Sequence, residues 1–286
     1  MKFIFALLTL SIANVTYAFP TAPFDALKTP IIHDEKSMAD DYDFEGIIKL
    51  NNCSGSLIRF AGQPMTSKAI VLTNGHCHST GPFGGMIKPG QVIYNKLSNK
   101  NMKIFNKQMK TFSVTATKVL YATMTNTDIA LYELTDTYES ILSKYKIESF
   151  DLDSVRPFEG VQIDIVSGYW ERGYRCSIDA FVFKMKEGDW TMRDSIRYTD
   201  SCDTVGGTSG SPIVARGTRS VIAINNTANE NGKSCAVNNP CEIDENGKIT
   251  VLKGKKYGQQ TYNIYSCLRP DFNIDLSIEG CSLPKP

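Results

Sequence analysis

Apolar residues along this chain fall into short runs at 46–50, 56–60, 69–72, 114–121, 129–134, 161–167, 178–183, 212–215 and 221–224, with Gly, Asn and Pro between them. Runs of this length, rich in Val, Ile, Thr and aromatic residues, predict β-strands, and their close spacing predicts an all-β sandwich or barrel. Helical periodicity is confined to 138–146 and, faintly, 261–268. Asn246-Gly247, between the strand-like stretches 242–245 and 248–251, predicts a hairpin with a two-residue turn. No internal repeat or low-complexity tract is present.

The first residues follow a different rule. Lys2 precedes an apolar run over 3–13, and the chain then reaches Thr16-Tyr17-Ala18. This pattern predicts a secretory signal over 1–18, cut near Ala18, because the run is too short to cross a bilayer. All eight cysteines lie beyond it: Cys53, Cys77, Cys176, Cys202, Cys235, Cys241, Cys267 and Cys281. An even number on an exported chain favours disulfides, although 105 pairings are possible. No Cys-x-x-Cys pair occurs, so a zinc site is not expected.

The formal net charge of +1 hides a segregation. Residues 1–45 are acidic, residues 46–127 hold ten basic groups and no acid, and the remainder is acidic again. The segment 19–45 reads as an acidic arm or a removable pro-segment, leaving 46–286 as the main domain. Lys96, Lys100, Lys103, Lys107 and Lys110 are candidates for an anionic-surface patch. With few interleaved aromatics, they read better as a solvated Lys-rich loop, and no nucleic-acid partner is expected.

The candidate chemistry lies in three islands. Of the three histidines, His33, His76 and His78, only His76 closes a strand and precedes a cysteine, in Leu72-Thr73-Asn74-Gly75-His76-Cys77. Gly207-Thr208-Ser209-Gly210-Ser211-Pro212 offers a serine on a glycine turn, where backbone N–H groups can converge on an oxyanion. A serine–histidine pair needs a carboxylate to fix the imidazole tautomer, and Asp128, the first acid after Glu45, stands before the apolar run Ile129-Ala130-Leu131.

Together with Cys53-Ser54-Gly55-Ser56-Leu57-Ile58 and Gly168-Tyr169, these islands resemble the trypsin-like (chymotrypsin-fold) serine peptidases, in the family's order of His, Asp, Ser. The style of the motifs is that of bacterial secreted members, including glutamyl endopeptidases. The resemblance implies two packed six-stranded antiparallel β-barrels, about 46–135 and 155–270, with a short C-terminal helix. It implies catalysis by Ser209, His76 and Asp128, through an acyl-enzyme and without a cofactor, and an oxyanion hole from the backbone N–H groups of Gly207 and Ser209. It also implies disulfides Cys53–Cys77 and Cys176–Cys202; nearness then suggests Cys235–Cys241 and Cys267–Cys281.

The chain also departs from the family pattern. Thr208 replaces the aspartate that receives a new N-terminus in digestive relatives, so that activation switch is not expected. Asn225 and Asn226 stand where glutamyl-specific relatives carry a histidine. Asp203 and Thr204 are expected near the base of the specificity pocket, where a buried acid would select Lys or Arg. The stretch 228–260 matches nothing in the family and is expected to influence specificity. The expected function is a secreted or periplasmic, monomeric serine endopeptidase acting on proteins or peptides, without membrane insertion. The alternative is a catalytically silent binding module on the same fold, recognising proteins or anionic surfaces.

Overall fold

The computed structural model describes residues 42–79 and 85–286. The expected signal segment, and all but the last residues of the acidic arm, lie outside the described residues.

Seven strands build the first half: β1 (Ile47–Lys49), β2 (Ser54–Arg59), β3 (Lys68–Thr73), β4 (Val92–Leu97), β5 (Asn101–Phe105), β6 (Thr111–Thr123) and β7 (Ile129–Thr137). Six of them close an antiparallel barrel in the order β1-β5-β6-β7-β3-β2, sealed by the β1–β2 pairing. The 13-residue β6 pairs its first half with β5 and its second half with β4.

Because successive side chains in a strand point to opposite faces, the unbroken apolar runs of β3 and β7 require burial on both sides. They have it. Ala69, Val71, Ala130 and Tyr132 face one core cluster with Ile48 and Leu57. Their neighbours Ile70, Leu72, Ile129 and Leu131 enter a second cluster with Val166, Val214 and Ile224 of the other half.

The linking helix α1 (Tyr138–Tyr145) starts where expected, capped by Thr137, whose hydroxyl accepts from Ser140 N at 3.1 Å. After it, β8 (Phe150–Leu152) pairs in parallel with β2 and with a strand of the second half, joining the two sheets.

The second barrel uses β9 (Gln162–Ser167), β10 (Arg172–Glu187), β11 (Trp190–Tyr198), β12 (Pro212–Ala215), β13 (Ser220–Ala228) and β16 (Lys256–Gln260). Its circuit β13-β12-β9-β10-β11-β16 closes through a β13–β16 pairing around Ile163, Ile165, Ile178, Ile196 and Ile213. The fold is the two-barrel architecture of the chymotrypsin class.

Three expectations need correction. The Lys-rich stretch is only partly loop: Lys96 lies in β4 and Lys103 in β5, where it faces solvent between the buried Met102 and Ile104, while Lys100, Lys107 and Lys110 lie in the connections on either side of β5. β5 is short, and the polar Asn101 and Lys103 break its apolar positions, so no continuous apolar run marked it. The unmatched stretch is also shorter than 228–260, since β16 is the sixth strand of the second barrel. Within it, β14 (Cys241–Ile243) and β15 (Ile249–Thr250) form the expected hairpin on the edge of β10. Its turn is wider than two residues: Asp244 N donates to Lys248 O at 3.1 Å, and the Asp244 carboxylate accepts from Asn246 N and Lys248 N. That side chain holds the wider loop in place.

The expected C-terminal helix is a six-residue 3-10 segment, Tyr262–Cys267. Beyond it the tail returns to the first barrel, where Ile274, Leu276 and Leu283 join the second cluster. Tyr94 and Tyr121 hydroxyls donate to Ile274 O at 2.7 Å and Pro284 O at 3.0 Å. The cysteines pair as Cys53–Cys77, Cys176–Cys202, Cys235–Cys241 and Cys267–Cys281.

Candidate active site

His76 sits on a single 3-10 turn, Gly75–Cys77, at the end of β3. Gly75 lets that turn approach β6: a Cβ there would lie 2.1 Å from Thr123 O and 3.0 Å from the Asp128 carboxylate. Asp128, at the mouth of β7, is 1% exposed. Its Oδ1 accepts the His76 amide at 2.9 Å, and its Oδ2 lies 2.7 Å from His76 Nδ1. Asn74 Nδ2 donates to Asp128 O at 2.8 Å, tying the two loops together. A carboxylate at Nδ1 makes that nitrogen the protonated one in neutral imidazole, which leaves the Nε2 lone pair available. Burial alone would lower the His76 pKa, but the charge and hydrogen bond of Asp128, with the more distant charge of Glu187, outweigh it and raise the value above 6.5.

Ser209 occupies the turn between the second-barrel loop and β12. Gly210, with φ +78, makes this turn possible, and a Cβ there would lie 2.3 Å from Ser54 O. The amides of Thr208, Gly210 and Ser211 donate to Val205 O, Asn225 O and Thr208 O, while Ser209 O accepts from Ser54 N. The amides of Gly207 and Ser209 have no protein acceptor among the described residues. The Ser209 hydroxyl donates to Asn226 O at 3.1 Å, and Ser209 and His76 line the same pocket.

Thr208 is fully buried, with its hydroxyl 3.3 Å from Tyr174 OH, so this position holds a neutral hydroxyl pair. Of the expected specificity residues, Thr204, Asn225 and Asn226 line the pocket. Asn225 Oδ1 and Asn226 Nδ2 are buried without a partner. Asp203 is placed differently. Its side chain is 81% exposed and paired with Lys256 Nζ at 2.9 Å, so it is not the floor of the pocket. The neighbouring Thr204 turns inward instead, and residues adjacent on an extended chain face opposite ways.

Besides Asp128 and Glu230, the pocket is lined by Glu187, the last residue of β10, which sequence reasoning missed. Its setting, Glu187-Gly188-Asp189-Trp190, reads locally as a solvated hairpin tip. In the fold this tip crosses to the first barrel. Trp190 Nε1 donates to Ile87 O at 2.8 Å, and Asn126 N donates to Thr191 O at 2.9 Å. Glu187 is thereby 8% exposed, its Oε1 accepting from Asn238 N at 2.7 Å and Thr227 Oγ1 at 3.0 Å. Burial raises its pKa above the ordinary carboxylate range, against the pull of those hydrogen bonds and of His76. The one signal in the sequence was an acid facing a Trp across a two-residue turn. Glu230, Val237 and Asn238 of the unmatched stretch complete this side of the pocket.

His78, the second described histidine, lies outside the pocket lining: its Nδ1 is 2.7 Å from Tyr132 OH, and burial with Lys100 and Lys96 lowers its pKa to about 4. It stays neutral and structural at ordinary pH.

No family model and no curated protein matches the chain. Among solved structures it is similar to the MamO protease domain from Magnetospirillum magneticum, at 13% identity and TM-score 0.48 over 79% of this chain and 97% of that one. It is also similar to a Glu endopeptidase, at 15% and 0.46 over 76% and 85%, and to the Nocardiopsis protease NAPase, at 14% and 0.43 over 77% and 93%. At such identities a likeness speaks to the fold alone. Among the described residues no helix is long and apolar enough to cross a membrane.

Proposed function

We propose that this chain is an exported serine endopeptidase of the trypsin-like class that hydrolyses peptide bonds through Ser209, His76 and Asp128. The observation that carries the reading is the pair of hydrogen bonds from the His76 amide and His76 Nδ1 to the two oxygens of Asp128, with His76 Nε2 left free in the pocket that holds Ser209. Substrate binding exchanges the Ser209–Asn226 bond for one to His76 Nε2. The hydroxyl then attacks the scissile carbonyl as Nε2 takes its proton, and the imidazolium formed is stabilised by Asp128. The carbonyl oxygen, now an anion, is received by the unused amides of Gly207 and Ser209, each worth about 10²–10³ in rate. Nε2 returns the proton to the leaving amine, and water resolves the acyl-enzyme by the same steps. No cofactor is required. Four disulfides fit an oxidising extracellular or periplasmic compartment.

A second reading, a silent binding module, draws on one observation: the Ser209 hydroxyl points to Asn226 O. Labelling with a fluorophosphonate separates the two. We expect stoichiometric modification of Ser209, none in Ser209→Ala, and a fall in kcat of about 10⁶ in that variant. An unlabelled wild-type protein would establish the binding module.

A further inference from the structure

We propose that the pocket beside Ser209 and His76 takes a lysine or arginine side chain of the substrate, next to the scissile bond, and that Glu187 is the residue that selects it. This inference rests on the endopeptidase reading above. The pocket combines apolar walls with an acidic end. Met86, Met124, Trp190 and Met192 contribute the walls, and neither Lys nor Arg is among the described residues that line it. A long aliphatic stem ending in a cation suits such a lining, because the stem covers apolar surface while the charged head reaches a carboxylate.

Three acids line the pocket, and they are not equivalent. Asp128 is engaged by His76 through both oxygens. Glu230 is exposed. Glu187 is nine-tenths buried, forms no ion pair among the described residues, and accepts hydrogen bonds at Oε1 alone, which leaves Oε2 for a ligand. Asn225 adds a buried, unpartnered amide oxygen to the same pocket. A buried carboxylate without a cation is costly to keep. Here its place is secured by Thr227 of β13 and Asn238 of the unmatched stretch. A cationic side chain supplies the missing partner; an acidic one meets two carboxylates.

The test uses two peptides that differ in charge and hardly in shape, acetyl-Ala-Arg-Ala-amide and its citrulline counterpart, titrated calorimetrically into the full-length Ser209→Ala protein. We expect the arginine peptide to bind at least tenfold tighter, and Glu187→Gln to remove the difference, in line with loss of one partner of a desolvated charge pair. Equal affinities, or no binding of either peptide, would overturn the inference. A preference that survives Glu187→Gln would overturn the role of Glu187. The amide introduced by Glu187→Gln keeps an acceptor for Asn238 and Thr227, and the comparison of the two peptides needs no change at this position. Because binding is read without turnover, the two readings fail separately. Discrimination by a protein that the fluorophosphonate does not label keeps Glu187 as the selector of a basic side chain but removes the endopeptidase reading and the scissile bond, and labelling without discrimination keeps the endopeptidase reading and removes the selectivity.

Discussion

His76 carries the most consequential electrostatics in the molecule. In the proposed role of general base it must be neutral, and its pKa is raised above 6.5 by Asp128 and, further off, Glu187. Protonation below that raised value removes the base, so the acid limb of kcat/KM is expected above pH 6.5, with activity increasing as pH rises through it. Glu187→Gln deletes one of the charges that favour imidazolium, and the limb is expected to move to lower pH. A pH–rate profile on a neutral peptide checks both; a limb that stays in place in the variant would show that Glu187 does not act on His76. The neighbouring Gly75 shows how tightly the dyad is built, since even a methyl group there meets the Thr123 carbonyl.

At the scale of elements, the β10–β11 hairpin does what neither barrel does alone. It belongs to the second barrel by pairing, yet its tip is fixed to the first by Trp190 Nε1 on Ile87 O and by the Asn126 bonds to Thr191 and Arg193. Trp190 also packs against the first-barrel core. Trp190→Ala is expected to cost about 2–3 kcal/mol, below the range for a fully buried indole because Trp190 is partly exposed. In calorimetry that corresponds to a melting point lowered by about 4–12 °C. Because the same tip carries Glu187, KM for a basic substrate should rise in this variant as well. An unchanged melting point would mean the tip is not docked in solution. The hairpin strands escaped the pattern analysis in part because β11 alternates Arg and Ser with Met and Ile in a register that is clear only once its partners are known.

Across the whole molecule, the two barrels are joined by shared apolar faces, by β8, and by a tail that returns from the second barrel to the first. The chain before β1 takes part too. Phe44 is buried beside Phe105, and Asp43 and Glu45 pair with Arg219 between β12 and β13. Any proteolytic maturation is therefore expected to cut before Tyr42. Mass spectrometry of the secreted, active protein should find no N-terminus beyond Tyr42, and an active species starting at Gly46 would refute the expectation. The two-barrel class, the helix over 138–146, the disulfide partners and the residues that meet as His76, Asp128 and Ser209 were legible in the sequence. Their signals are local motifs in a particular order, and each motif carries the turn that presents its side chain. The place of Glu187 in the pocket was not legible, and neither was the outward turn of Asp203. Which acid faces a pocket depends on which distant elements close over it, here β10, β13 and the stretch around Asn238, and burial of that kind arises only when strands far apart in the chain are packed together. The sequence by itself determined most of the core strands, the even cysteine set and the motifs that hold His76, Asp128 and Ser209; the tertiary structure alone decided that Glu187 lost its solvent and lines their pocket, because its burial is made by elements far apart in the chain.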